Sequence, residues 1–557
     1  MKKQMVLIAA IATMVTSLSA CSFLSDLFNQ FNGAANGQNN GRMSSFVPSS
    51  RPSIVDVSTP PADDLTANKA SMIYHDYIGN SAYPISCTPS VGEAKLLIIP
   101  VWFNDSSKFI KEANKDRVKE DIEHCYFGTT EQVGWQSVKT YYEEESHGAL
   151  TFTGTVSDWY SVDTSYTYYG SDPATRESGA PKTTALVESA TDWYFTNHTD
   201  EKKTDYDCDG DGYLDGVMLI YAAPDYATLK NENYDNLWAF CFWVQDYQAQ
   251  NPTNPGVNVF FWASYDFMYG TEYAISRTGY RYCAGDTTTC KLDTHTYIHE
   301  MGHMFGLEDY YDYSKNEYQP AGGFSMQDHN VGGHDPFSSF ALGWGKAYIP
   351  TSDATIDLHP FVTTGEMILL TPSWNEYNSA FDEYLILEYY TSNGLNELDT
   401  TFPYMYSSRK TYPTGSLEYG IRLWHVDARL LYTASTSFSA KNVTTNAKTN
   451  LGRVTLMMSN TYPDGSDAAD AYISPLGDSY GNYNILQLIR NKTNATYKPK
   501  DSLDSSCLFK KGDSFSMVNF YKQFVKGTKL NQNIDLGFTF EVNACNSTYA
   551  SITIKKV

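Results

Sequence analysis

The sequence predicts an α+β fold: a mixed, twisted sheet with one helix carrying paired histidines, followed by a C-terminal β-sandwich region. Three observations predict it. The apolar, β-branched run Lys95–Phe103 (KLLIIPVWF) reads as a buried strand, and stretches of helical spacing and then of strict alternation follow it. The segment HEMGHMFG places two histidines one helical turn apart and then supplies a glycine stop. From Thr351 onward, short β-rich runs alternate with turns (MILLTP, EYLILEYY, GIRLWHVD, RVTLMM, GFTFEV, ASITIKKV), with no long helical period among them.

In chain order, Lys2 and Lys3 precede the short apolar run Met5–Val15, the pattern of an export signal over residues 1–20. The ending Leu18-Ser19-Ala20-Cys21 resembles a bacterial lipobox, which implies cleavage before Cys21 and a lipid on that residue. Ordinary signal cleavage, leaving Cys21 a free thiol, is the alternative. No later stretch reaches the length of a membrane span, so the expected address is the extracellular face of a bacterial membrane, held by the lipid. Residues 21–67 are rich in Asn, Gly, Ser and Pro and read as a flexible tether, with room for a propeptide. A folded domain is expected over 68–350 and the β-rich region over 351–557. Within the first, helices are expected at Asp116–Cys125 and Ser137–Glu145, the latter stopping at His147-Gly148. Strands are expected at Leu150–Trp159 and Gly216–Tyr221. The aromatic runs NLWAFCFWV and VFFWASYDF read as sheet core, one of them a candidate edge strand.

Composition narrows the function classes. The 557 residues carry a net charge of −24, which argues against nucleic acid or an anionic membrane as the binding surface. Hydrophobic content of 42% with 15% aromatics is that of a globular chain with ample core, expected as a monomer. Beyond Cys21, an even set of cysteines permits disulfides; Cys283 and Cys290 are close enough in sequence to close a small loop, Cys507 and Cys545 are expected to pair as the only two in the C-terminal region, and the sequence does not fix the connectivity of the rest.

The chemistry concentrates in Thr294–Met326. His299 and His303 stand four apart, so a helix aims both rings to one side, where they suit a zinc ion. Glu300, one residue on, lies toward the open side of such an ion and suits a general base. Gly306 ends the helix, and Asp309, ten residues past His299, folds back as a third ligand. With Met326 in GGFSMQDHN as the turn methionine, this is the extended metzincin signature, with Asp in place of the commoner His. Two surface histidines on an ordinary helix are the bland alternative. His295 precedes the pair by one turn and reads as a supporting residue. Glu308 and Asp312 are acidic but off the spacing, while His329 and His334 read as loop residues.

A second cluster, DYDCDGDGYLDGVMLIYAA, aligns Asp207, Asp209, Asp211 and Asp215 around Gly212, with the carbonyl of Tyr213, like the start of an EF-hand loop. The twelfth position is Met218 rather than Glu. An Asp/Gly-rich turn feeding a strand is the plain alternative; calcium is expected because so many carboxylates repel one another without a cation.

Together KLLIIPVWFND, SVKTYYEEESHGALTFTGTVSDWY, DGDGYLDGVMLIYAA, HEMGHMFGLEDYYD, SMQDHN and FALGWGKAYIP resemble the immune inhibitor A family of secreted bacterial zinc metallopeptidases, across about Lys95–Pro350 and in the family's order. The resemblance implies a metzincin-like zinc endopeptidase acting on protein or peptide substrates, with His299, His303 and Asp309 as ligands and Glu300 as base. Asp328 stands two residues after Met326, where some metzincins place a Tyr. GIRLWHVD also resembles the family, its His425 and Asp427 reading as the polar positions of a strand. The rival readings are a gluzincin peptidase, which would need a Glu ligand from a second helix where the sequence after Tyr313 shows Gly and Pro, a catalytically inactive surface adhesin, and a polysaccharide-binding lipoprotein on the same scaffold. An inactive scaffold is expected to have lost Glu300 or a ligand, and all are present.

Overall fold

The computed structural model describes residues 86–133, 135–170, 180–230, 236–244, 250–269, 292–311, 320–328, 330–372, 380, 382–401, 405–407, 410–411, 415–433, 453–456, 460, 483–493 and 505–557. The expected export signal, Cys21, the tether, the start of the fold at Asn68, the Cys283–Cys290 loop, Asp312 and His329 lie outside the described residues. The chain packs as two compact units. One gathers the described residues up to Tyr142 together with Thr151–Gly306; the other holds Glu143–Leu150 and Leu307–Val557.

In the first unit the sheet runs β2 (Leu150–Val156), β1 (Gly92–Phe103), β4 (Gly216–Tyr221), β6 (Val259–Ser264), β5 (Phe240–Trp243), with β3 (Tyr160–Val162) also on β1. Strand β1 pairs parallel with β4, and β4 with β6, so Leu96 faces Gly216 and Val217 faces Phe260. These strands are near-continuous apolar runs because both faces of a parallel sheet are covered. Strand β5 runs antiparallel to β6 and pairs on that side alone among the described residues. The longer helices among the described residues are α1 (Lys115–Phe127), α2 (Val138–Glu145, whose last turn runs into the second unit), α3 (Ala180–Asn197) and α4 (His295–Met304). The stop after α2 is the one expected: His147 and Gly148 both take left-handed φ, 54° and 77°. A Cβ at Gly216 would stand 3.0 Å from Leu96 Cδ2 and 3.1 Å from Met218 Cε, so side chains pack closely over the strand there.

The second unit contains α5 (Pro336–Ala341) and a five-stranded sheet. Its order is β16 (Leu486–Ile489), β13 (Gly420–Asp427), β10 (Glu383–Tyr390), β9 (Glu366–Leu370), β7 (Lys346–Tyr348). A four-stranded sheet runs β17 (Ser514–Phe515), β18 (Phe538–Cys545), β19 (Ala550–Lys556), β8 (Ala354–Leu358). Two small antiparallel pairs, β11 (Met405–Ser407) with β12 (Lys410–Thr411) and β14 (Leu430–Thr433) with β15 (Arg453–Leu456), complete it. Every β-rich run singled out from Thr351 onward contains one of these strands. Ile368, Leu385, Leu387 and Leu423 of the larger sheet share one apolar core with Ile356, Phe540, Ile552 and Ile554 of the smaller. His425 is buried on β13 and bonded to Glu383 at 2.9 Å, a strand position as expected.

One expectation fails here. Cys545 is a free thiol, so the expected pair with Cys507 does not form. Register explains it: Cys545 ends β18 opposite Ala550, with its sulfur 3.7 Å from the Tyr389 hydroxyl, while Cys507 is buried in a separate short turn.

Candidate metal centre

Helix α4 is fixed from several sides. At its start Asp293 Oδ1 accepts the His295 N–H at 3.0 Å, and the Thr294 hydroxyl donates to the Gln136 carbonyl at 2.6 Å. The Tyr297 hydroxyl donates to the Ser264 carbonyl of β6 at 2.9 Å, and its ring stacks on Tyr126 of α1 at 5.7 Å. The Tyr142 hydroxyl, from α2, donates to the Ile298 carbonyl at 2.6 Å, beside His299. At the far end Gly306 takes φ 88° and its N–H donates to the His303 carbonyl at 2.8 Å, so the chain reverses where the glycine was placed to do it.

Three of the expected residues meet. His299, His303 and Asp309 each offer one ligand atom, and these atoms all lie within 4.8 Å of one another, all three side chains being buried. The two imidazoles stand 5.0 Å apart at 87°. Two imidazole nitrogens and one carboxylate oxygen are a donor set that suits zinc in a site with a position left for water or substrate. Glu300 is 1% exposed, and its charge adds to the burial that pushes Tyr126 and Cys241 well above their ordinary values. His295 stacks near His299 at 6.2 Å but belongs to no ligand group among the described residues, and neither do Glu308 and His334.

Asp309 is held through its neighbour. The Tyr310 N–H donates to the Gln327 carbonyl at 2.8 Å, next to Met326, which is fully buried. The turn there closes by Asp328 N–H to Ser325 carbonyl at 2.8 Å, after Gly322 and Gly323 at φ 72° and 83°. Asp328 Oδ2 accepts the Gly323 N–H at 2.8 Å and so braces the turn. The Tyr310 hydroxyl pairs with Ser338 of α5 at 2.9 Å, and Asp335 accepts from both Ser338 and Ser325. The motif disclosed none of these ties to Tyr142 and Tyr310. They join residues far apart in sequence, and the only hint was that both lie within runs resembling the family.

The acidic loop is gathered only in part. Asp207, Asp209 and Asp215 each place an oxygen within 4.8 Å of the others, whereas Asp211 is outside the trio. Asp211 instead accepts from the Ser86 hydroxyl and, at 2.8 Å, from the Tyr213 N–H. Asp215 accepts from the N–H groups of Lys95 and Cys208 at 2.7 and 2.9 Å. Burial, reinforced by neighbouring carboxylates, pushes both Asp209 and Asp215 up to about 7. Asp207 Oδ1 is buried with no hydrogen-bond partner among the described residues. An orphaned buried carboxylate oxygen beside two others fits a hard divalent cation.

Residues 90–328 match the family model of the immune inhibitor A peptidase M6 catalytic domain. The chain is also 28% identical over 197 residues to a protein named immune inhibitor A from Bacillus thuringiensis subsp. alesti, a match covering 32% of this chain and 26% of that protein. This chain thus spans about a quarter of that relative's length. Both findings bear out the resemblance read from the motifs.

Proposed function

We propose that this chain, which carries a catalytic domain of the immune inhibitor A peptidase kind, is a zinc-dependent endopeptidase hydrolysing peptide bonds of extracellular proteins. The observation that carries the proposal is the buried His299–His303–Asp309 group inside the matched segment. Those three residues hold the ion. When bound, zinc lowers the pKa of a water molecule and polarises the scissile carbonyl. Glu300, adjacent to His299, takes the proton of the attacking water and returns it to the departing amine. Its burial strengthens that exchange, because charges interact more strongly away from bulk water. The Tyr310–Gln327 bond ties the carboxylate loop to the turn that contains Met326. Strand β5, which pairs with β6 alone among the described residues, is the strand along which an extended substrate chain would align.

In this reading the catalytic domain is 68–350, of the metzincin-like kind, and 351–557 is a β-sandwich that supports it. Asp207, Asp209 and Asp215, with the Tyr213 carbonyl, hold calcium, and Asp211 shapes the loop through its hydrogen bond from the Tyr213 N–H. The lipid on Cys21 keeps a monomeric enzyme on the outer face of a bacterial membrane. Incubating the purified chain with casein, before and after zinc chelation and zinc restoration, tests the function. Cleavage that stops on chelation and returns with zinc supports it; cleavage indifferent to metal sinks it.

A further inference from the structure

Asn460 lies more than 150 positions from Asp309 in sequence and is fully buried. All of its side-chain amide is engaged. One Nδ2 hydrogen goes to the Tyr310 carbonyl at 2.9 Å and the other to the Leu486 carbonyl of β16 at 2.8 Å, while Oδ1 accepts the Leu486 N–H at 3.2 Å. Asn460 therefore grips both peptide groups of Leu486, as a neighbouring strand would, and extends one donor to the residue beside Asp309. A second tie runs parallel: the Leu488 N–H of β16 donates to the Pro320 carbonyl at 2.9 Å, just ahead of the turn that holds Met326.

We propose that Asn460 is a positioning residue for the metal centre, and that it, with β16, holds Asp309 in register. This rests on the reading of Asp309 as a zinc ligand. Tyr310 is held at its N–H by Gln327, at its carbonyl by Asn460 and at its hydroxyl by Ser338. Two of these partners lie within the sequence from Met326 to Ser338, close to the loop itself. Asn460 is the one that transmits the position of the five-stranded sheet, whose edge strand is β16. Fixing both ends of one residue fixes its peptide planes, and with them the direction in which the preceding side chain leaves the backbone. The C-terminal sheet then becomes part of what sets zinc affinity. Outer partners that orient a ligand are commonly worth about 10–100-fold in metal affinity.

The test is zinc affinity of the full chain, measured by competition with a chromophoric chelator, for wild type, Asn460→Ala, Asp309→Ala and the double variant. Asn460→Asp is run beside them: it keeps the acceptor for Leu486 but loses both donors, so it serves if the alanine variant does not fold. Ile552→Ala, in the shared apolar core of the same unit, controls for general loss of stability. The expected result is zinc bound about 10–100-fold more weakly by Asn460→Ala and Asn460→Asp, unchanged by Ile552→Ala, and no weaker in the double variant than in Asp309→Ala alone. Affinity of both Asn460 variants within twofold of wild type overturns the inference. So does an Asn460→Ala loss that is the same size with and without Asp309. If Asp309→Ala itself binds zinc like wild type, the ligand reading fails first and takes this one with it.

Discussion

Asp399 sits in the short helix Asn396–Thr401 and is 4% exposed. Burial pushes its carboxyl from 3.8 up to about 7, against the opposing pull of Arg422 and of the N–H groups of Val331 and Gly415. Arg422 is a diluted counter-charge: it also faces Glu388 at 3.6 Å and lies over the rings of Tyr390 and Phe324 at 3.7 and 4.4 Å. A folded value above the unfolded one means the native state holds a proton that the unfolded chain has already released. The stability so contributed is fully present below about pH 4 and is lost as the pH rises through about 7. A shift of about 3 units at 1.36 kcal/mol each sets a ceiling of about 4 kcal/mol on that loss. Asp399→Asn keeps the shape and removes the titration. The carboxyls of Glu145, Asp335 and Glu388, also raised by burial, belong to both proteins and cancel in the difference. Urea midpoints followed by tryptophan fluorescence at pH 5, 6, 7 and 8 should show the variant gaining on wild type with each step up to pH 7, then levelling. A difference that stays flat within about 1 kcal/mol from pH 5 to pH 8 refutes the argument, because a buried acid with a raised value cannot leave stability indifferent to pH.

Other outcomes follow from the same coordinates. Glu300→Gln should keep its zinc, by metal analysis, yet lose about 10²–10⁴-fold in casein hydrolysis; substantial residual activity removes Glu300 as base. His303→Ala should lose both the metal and the activity, and zinc content equal to wild type counts against the ligand set. Tyr142→Phe deletes one buried hydrogen bond to the Ile298 carbonyl without changing the ring, so unfolding should become easier by about 1–2 kcal/mol. Stripping calcium with a selective chelator should lower the melting temperature of wild type and leave that of Asp215→Asn nearly unmoved. Equal shifts in the two proteins argue against a cation at Asp207, Asp209 and Asp215.

What was legible in the sequence was what depends on local periodicity. Four-residue spacing put His299 and His303 on one helix, and a glycine able to take positive φ marked where that helix turns back. The run KLLIIPVWF was recognisable as a strand for the same reason, although β1 begins earlier, at Gly92, because polar residues entering a sheet carry no periodic signal. Where a local template meets a long-range partner, the two diverge. An EF-hand pattern treats Asp211 as equivalent to its neighbours, but the Ser86 hydroxyl, far away in sequence, claims its carboxylate, and the trio closes through Asp215 instead. Cys507 and Cys545 look like a pair because they are the only two cysteines of the C-terminal region; the register of β18 with β19 sends Cys545 to Tyr389.

The same contrast bears on how the centre is built. Motif spacing accounts for the two imidazoles because a helix is a rigid ruler, repeating every 3.6 residues whatever surrounds it. It cannot account for the carboxylate, since Asp309 follows a chain reversal and lies on no regular element. A loop residue keeps its direction only through hydrogen bonds to structures that are themselves fixed. Tyr310 collects three of these, from a turn, from a helix start and from Asn460 beside a sheet edge. In the proposed site Asp309 is thus the residue whose direction depends most on hydrogen bonds made elsewhere in its own unit.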